Sequence, residues 1–354
     1  MPFSFLPKIL SQGESYFAAM NTPKGFLSEF PSLFSPYRRF IIKGGPGTGK
    51  STLMKKLAKT AEERKMASIR YYCSSDTDSL DAVVIPALSL ALLDGTAPHA
   101  EEPLLVGARD LYLDLAQFAD PKALVGHTEE LMRLHQEKQR AYQSAYRRLF
   151  AFHTVEEDLN DARKQLFLSD KCRLTLCRLI DRLHLTHSSS RSARHIPIAA
   201  FGIHGYLALD TYAQKAKTHV YIRDRHRVAP LVFALLQKEL TLRGIGYTFS
   251  RCPMTLATDT VYLQDDRILF TSLPLSQNAD ILVNCERFLK DRGSRLCREQ
   301  KPLLSTAEQL LKAAEHAITQ AGKAHAEAEI YYRAAMDFDA LDRFTDRLLS
   351  EIFA

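Results

Sequence analysis

Two stretches of this 354-residue chain repeat apolar positions at helical spacing over unusual lengths. From residue 128 to about 168, Leu131, Lys138, Ala145, Phe152, Leu159 and Leu166 recur every seven residues, flanked by Leu134, Ala141, Arg148, Val155 and Ala162. Lys138 and Arg148 interrupt that seam, which predicts a long packed helix or helix pair rather than a continuous coiled coil. Near the carboxyl end, Leu304, Leu311, Ile318, His325 and Tyr332 alternate with Ala307, Ala314, Ala321, Ala328 and Ala335. Small alanines along one stripe permit close helix approach, so the two arms are expected to pack on each other or across a homodimer or protein-partner interface.

The shorter apolar runs recur in order. Residues 38–43 read as a strand around Phe40-Ile41-Ile42, and 51–64 as a helix with Leu53, Leu57 and Ala61 on one face. A shift of 180 sets 22–26 against 202–206 and Phe40-Ile41-Ile42-Lys43 against Val220-Tyr221-Ile222-Arg223. With one deletion allowed, 69–74 faces 247–252 and 88–93 faces 267–272, and each half then runs into one of the long helical segments. The common order predicts an internal duplication. The expected boundaries are 1–125, a helical arm 126–186, a linker 187–194 within the serine-rich stretch after His187, a second domain 195–297, and a carboxyl-terminal arm 298–354.

Composition narrows the class. Apolar residues make up 46% and charged residues 25%, which excludes a disordered or collagen-like chain. No apolar run reaches the length of a membrane span, and the amino terminus shows no signal-peptide pattern, so a cytoplasmic protein is expected. A formal charge of +6 is modest for this length and does not by itself call for nucleic acid. The six cysteines, at 73, 172, 177, 252, 285 and 297, form no C-x-x-C pair and read as reduced thiols.

The strongest chemical signal joins the first predicted strand to the first predicted helix. Gly44, Gly45, Pro46, Gly47, Thr48, Gly49, Lys50, Ser51 and Thr52 match the full G-x-x-x-x-G-K-[ST] phosphate-binding pattern. Its glycines let successive N–H groups face anionic oxygens at the start of a helix, Lys50 is placed to reach the β- and γ-phosphates, and the Ser51 hydroxyl to hold Mg²⁺. In the second half the same positions read Asp224, Arg225, His226, Arg227, Val228, Ala229, Pro230, Leu231 and Val232. With every glycine and the lysine gone, that copy is expected to keep the fold and not to bind a triphosphate.

Further candidates surround the intact loop. Asp94 ends an apolar strand and fits the Walker B role of coordinating Mg²⁺, with an ordinary acidic turn as the alternative. Asp76 and Asp78 either orient an attacking water or acceptor hydroxyl, or cap the next helix. Thr96 and His99 are candidate γ-phosphate sensors, Glu101 and Glu102 candidate water-positioning groups, and Arg223, Arg225 and Arg227 either a finger reaching the intact site or a salt-bridged surface.

The combination GGPGTGKSTLMKK, YYCSSDTDSLDAVVIPAL and LALLDGTAPH resembles a poorly characterised bacterial family of tandem P-loop ATPase or nucleotide-binding proteins. The resemblance favours ATP as ligand, with GTP as the alternative, and carries nucleotide and Mg²⁺ roles onto Lys50 and Ser51. Some family members have a second glycine-rich loop, from which this chain departs at 224–232. The resulting expectation is α/β: two duplicated P-loop NTPase-like three-layer domains, each with a largely parallel sheet and a long helical extension. The expected activity is slow or partner-stimulated hydrolysis of Mg-ATP, catalytic residues Lys50, Asp94 and Asp76. A small-metabolite or nucleoside kinase and a nonhydrolysing nucleotide-dependent interaction switch are the alternatives.

Overall fold

The computed structural model describes residues 6–98, 100–185, 191–290 and 300–354, and it shows an α/β protein built from two similar regions. The first region comprises strands β1 (Lys8–Leu10), β2 (Ser15–Phe17), β3 (Ala19–Thr22), β4 (Gly25–Ser28), β5 (Arg38–Lys43), β6 (Ile69–Tyr72), β7 (Leu80–Ile85), β8 (Leu90–Asp94) and β9 (Asp110–Asp114). Helices α1 (Phe30–Phe34) and α2 (Lys50–Glu63) lie among them, and α3 (Pro121–Val125), α4 (Thr128–Leu166) and α5 (Ser169–Arg182) follow.

The second region repeats the plan. Its strands are β10 (Ala193–His195), β11 (Ala199–Gly202), β12 (Gly205–Leu209), β13 (Thr218–Arg223), β14 (Tyr247–Arg251), β15 (Thr258–Leu263), β16 (Ile268–Thr271) and β17 (Ile281–Asn284). Helices α6 (Thr211–Lys215) and α7 (Ala229–Leu242) correspond to α1 and α2, and α8 (Lys301–Ala335) and α9 (Phe338–Ile352) to α4 and α5. Of the stretch read as a linker, 187–190 lie outside the described residues, and Ala193 and Arg194 belong to β10.

The two six-stranded sheets share one topology: β2-β6-β7-β8-β5-β9 and β10-β14-β15-β16-β13-β17. Parallel and antiparallel pairings fall at the same places in both. Even the register irregularity recurs, at Tyr71/Tyr72 and at Ser250/Arg251. As expected, each sheet is largely parallel: five of its six strands run the same way, and β7 in the first and β15 in the second run against them. A short 3-10 turn, Pro86–Leu88, joins β7 to β8. Parallel strands need a long crossover, so so brief a connection forces an antiparallel pair.

Both faces of the sheets are buried, which explains their nearly unbroken apolar strands. In the first sheet Phe40, Ile42, Val83, Ile85, Leu90 and Leu92 face an outer core with Leu53 and Leu57 of α2. The alternate residues Ile41, Ala82, Val84, Ala91 and Leu93 face a central core. That central core draws on both regions and both arms, joining Phe17 and Phe34 to Phe201 and Tyr262, with Phe152 of α4 and Ile318 of α8. Strand β1 also pairs in parallel with β12 of the other region.

Helix α4 is a single helix of 39 residues, about 58 Å at the usual rise per residue, and it packs along α8. Ala307, Ala314 and Ala321 of the predicted stripe are fully buried. The arms then exchange. Helix α5 packs on α7 and contributes Cys172, Leu176 and Ile180 to the outer core of the second region, while α9 contributes Leu341, Leu348 and Leu349 to that of the first. Two matching backbone bonds fix the exchange: Leu168 N–H donates to Phe288 O at 2.8 Å, and Asp337 N–H to Phe118 O at 2.8 Å.

Candidate functional site

Strand β5 lies between β8 and β9, parallel to both, and delivers the glycine-rich loop at its carboxyl end. Gly47 (φ +69°) and Gly49 (φ +90°) adopt left-handed backbone that an L side chain resists, and Gly49 is the residue from which α2 starts. The buried Thr48 hydroxyl donates to Gly45 O at 2.9 Å and holds the turn closed. No side chain caps α2, so its first N–H groups are left to the loop's concavity. Lys50 folds back over the loop, its Nζ donating to Gly44 O at 3.1 Å and Gly45 O at 2.8 Å.

Asp94 sits in register with Ile42 on the neighbouring strand, which places it beside the loop entrance. Its Oδ2 lies 3.8 Å from Lys50 Nζ, and its Oδ1 accepts from the Thr96 amide at 2.9 Å and hydroxyl at 2.6 Å. Burial pushes its carboxyl pKa up, against the pull of Lys50. Behind it Gly95 is required, since a Cβ there would collide with Ile41. Ser51 Oγ accepts from Leu80 N–H at 3.1 Å, tying the loop helix to the start of β7. Pro46 is half-buried and Thr52 exposed. Ser51 and Asp94 are oxygen donors of the type a hard divalent cation takes, on the two segments that flank Lys50.

The other candidates are otherwise engaged. Asp76 Oδ1 accepts from Asp78 N–H at 3.0 Å, and His204, from the turn between β11 and β12, lies 3.3 Å from it. The pair thus makes a local turn braced by the second region. Thr96 serves Asp94, and His99 lies outside the described residues. Glu101 binds Arg39 at 3.0 Å and Glu102 binds Lys43 at 3.1 Å, so both acidic groups are held by bases of β5. Arg227 pairs with Glu156 of α4 at 2.7 Å, and Arg225 lies 3.6 Å from Glu286. Both arginines are paired at the second loop.

The second loop is filled from within. Asp224 stands where Gly44 stands in the first copy, and its carboxylate accepts from the N–H groups of His226 (3.2 Å), Val228 (3.0 Å) and Ala229 (2.6 Å). The start of α7 therefore already holds an anion, covalently supplied. Burial raises the Asp224 carboxyl pKa while those three N–H groups and Arg163 oppose the rise. Arg163, nearly fully buried on α4, bonds to Glu156 at 2.6 Å and completes the cluster.

The sequence reading missed what lies over the intact loop. The end of α8 seats on it: a Cβ at Gly45 would come within 2.6 Å of Cδ1 of Tyr332, and one at Gly47 within 2.8 Å of Cγ of Arg333 and 3.2 Å of Glu329 O. Leu341 of α9 meets Gly49 in the same way, at 2.8 Å. Beside them His325 lies 3.5 Å from Lys138 of α4, whose pKa is lowered by burial and by Lys50. The signal was present: Lys138 and His325 are the polar members of otherwise apolar heptad stripes, and Tyr332 ends the second of them.

Comparison with family models, curated proteins and solved structures finds no match to this chain.

Proposed function

We propose that this chain binds one magnesium nucleoside triphosphate, ATP by preference, at residues 44–52 and hydrolyses it slowly. The observation that carries the reading is the contrast between two equivalent helix starts. One is filled by the carboxylate of Asp224, and the other, at Gly49 and Lys50, has no side-chain cap and a lysine folded over it. The uncapped start offers an anion site, and the glycine conformations allow the backbone to approach phosphate oxygens closely once α8 gives way.

In this reading Lys50 swings from the carbonyls of Gly44 and Gly45 to the β- and γ-phosphates, and Ser51 and Asp94 hold Mg²⁺. When bound, the ion offsets charge on the transferring phosphoryl group. The family of tandem P-loop ATPases that the sequence resembles is the assignment this supports. A second reading, a nucleotide switch with no turnover, draws on the seating of Glu329, Tyr332 and Arg333, because loop occupancy and α8 position are then linked.

Titration calorimetry with Mg-ATP and Mg-GTP on the full chain tests binding, and phosphate release tests turnover. Lys50→Ala removes charge-assisted bonds of about 1.5–3 kcal/mol, so affinity should fall roughly 10- to 150-fold. Lack of binding to either nucleotide at millimolar concentration, or equal binding by Lys50→Ala, refutes the proposal. Binding without phosphate release favours the switch.

A further inference from the structure

The duplication provides an internal control for the outer surface of each sheet. The bonds from Leu168 to Phe288 and from Asp337 to Phe118 align α5 with α9, so Thr175 corresponds to Phe344 and Arg178 to Arg347. By the same alignment Arg182 corresponds to Glu351 and Arg287 to Gln117. In the first region Phe344 packs on Phe118, ring centroids 5.3 Å apart, and seals the helix against the turn after β9. The second region has Thr175 in that place, and a cavity of about 250 Å³ lies between α5 and β17.

Where the filler was lost, charge was gained. The first region presents Arg347, Glu351 and Gln117, whereas the second presents Arg178, Arg182 and Arg287 around the cavity. All three are exposed, and none forms an ion pair among the described residues. Beside them β17 is the edge of its sheet, and Leu282 at its centre is 53% exposed. On the matching edge of the first region, Tyr112 is bonded by Glu102 and covered by Lys43, 5.6 Å from the ring centroid. Glu102 comes from the long connection 95–109, and the second region's counterpart, 272–280, is shorter.

We propose that this groove docks an acidic, extended peptide segment of a partner protein, added as a further strand on β17. An open strand edge supplies main-chain hydrogen bonds to such a ligand, and Leu282 supplies an apolar contact. Arg178 and Arg182 stand one helical turn apart, about 6 Å along α5. Alternate side chains of a strand are about 6.6–6.8 Å apart, so an acid-x-acid pattern matches the two guanidinium groups. Single-stranded nucleic acid is disfavoured because the groove carries no aromatic platform on which bases stack.

Fluorescence anisotropy of the full-length protein with labelled peptides tests it. An alternating (Glu-Val)4 peptide should bind, and the Arg178→Glu/Arg182→Glu variant should bind it at least tenfold more weakly. Leu282→Glu should weaken it similarly, while Arg347→Glu in the first region should change affinity less than twofold. A block peptide of the same composition, four Glu followed by four Val, should bind at least fivefold more weakly than the alternating one. The proposal is overturned if the alternating peptide fails to bind, if the two peptides bind equally, if the double variant binds like wild type, or if an oligothymidylate of equal charge binds as tightly.

Discussion

Gly47→Ala isolates the seating of α8 on the glycine-rich loop. Two costs arise at this position. The φ of +69° places alanine in left-handed backbone, about 1–2 kcal/mol. The new methyl would also lie 2.8 Å from Cγ of Arg333 and 3.2 Å from the main-chain oxygen of Glu329. The arginine side chain can turn aside, but the carbonyl moves only if α8 moves, and such overpacking adds about 1–3 kcal/mol. Gly107→Ala is the control, because its φ of +78° imposes the same backbone cost with nothing within 4 Å of the added atom. In urea titrations of the nucleotide-free protein, Gly47→Ala should exceed Gly107→Ala by about 1–3 kcal/mol. Arg333→Ala combined with Gly47→Ala should recover part of that difference through non-additivity. If the two glycine variants agree within about 0.5 kcal/mol, α8 does not rest on the loop and the proposed link to nucleotide occupancy fails.

Three other outcomes follow from the same structure. Asp224→Ala leaves three N–H groups at the start of α7 without their acceptor and should destabilise by about 2–3 kcal/mol in urea titration. It should not create Mg-ATP binding by calorimetry, because Pro230 stands in the lysine position; binding there would contradict the account of the second loop. Asp259 is buried, and burial pushes its carboxyl pKa up to about 7 against the opposing pull of Thr260 and Tyr206. The folded protein keeps that proton to about pH 7 while the unfolded chain releases it near pH 4, so this group's stability is present below about pH 4 and lost by about pH 7, at most about 4 kcal/mol. Stability measured against pH for Asp259→Asn should lose that slope, and an unchanged slope would refute the assignment. Phe344→Thr should open in the first region the cavity found in the second, at a cost of about 3 kcal/mol in the same titration; a cost below about 1 kcal/mol would show the ring is not a filler.

The duplication was legible because strand order survives divergence: Phe40-Ile41-Ile42 and Val220-Tyr221-Ile222 occupy equivalent strands, and each phosphate-loop position has a definable counterpart. The antiparallel course of β7 was not legible. Its sequence, with Ala82, Val83 and Val84 all buried, looks the same in either direction, and only the length of the following turn decides. Lys50 and Asp94 come together because the motif and the strand end are local signals. Asp76 was ambiguous between turn and chemistry, and its contact with His204 lies far away in sequence. The exchanged arms were invisible for a related reason. An apolar helix face states that it will be covered and is silent about which sheet covers it, so Leu341 and Leu348 gave no hint that α9 returns to α2.

That exchange gives the filled second loop a physical role in the proposed cycle. Each loop meets the far end of the arm that follows the other region: Glu329, Tyr332 and Arg333 at the first, Glu156 and Arg163 at the second. Gln300, at the start of α8, bonds to Leu159 O of α4 at 2.9 Å, close to the Glu156–Arg163 pair. Helix α8, about 52 Å long, thus runs from the cluster around Asp224 to the intact loop. In the proposed reading the ligand of the first loop exchanges, whereas the carboxylate of Asp224 is covalently fixed, so the two ends of the rod differ in kind. Displacement at Tyr332 is then opposed by an anchored end instead of being shared between two exchangeable ligands. The α4–α8 seam combines the buried Ala307, Ala314 and Ala321 with the fully buried Leu149, Phe152, Leu311 and Ile318, so the two rods are packed close and interlocked along it. A duplicated pair that retained two nucleotide loops would lack that fixed reference.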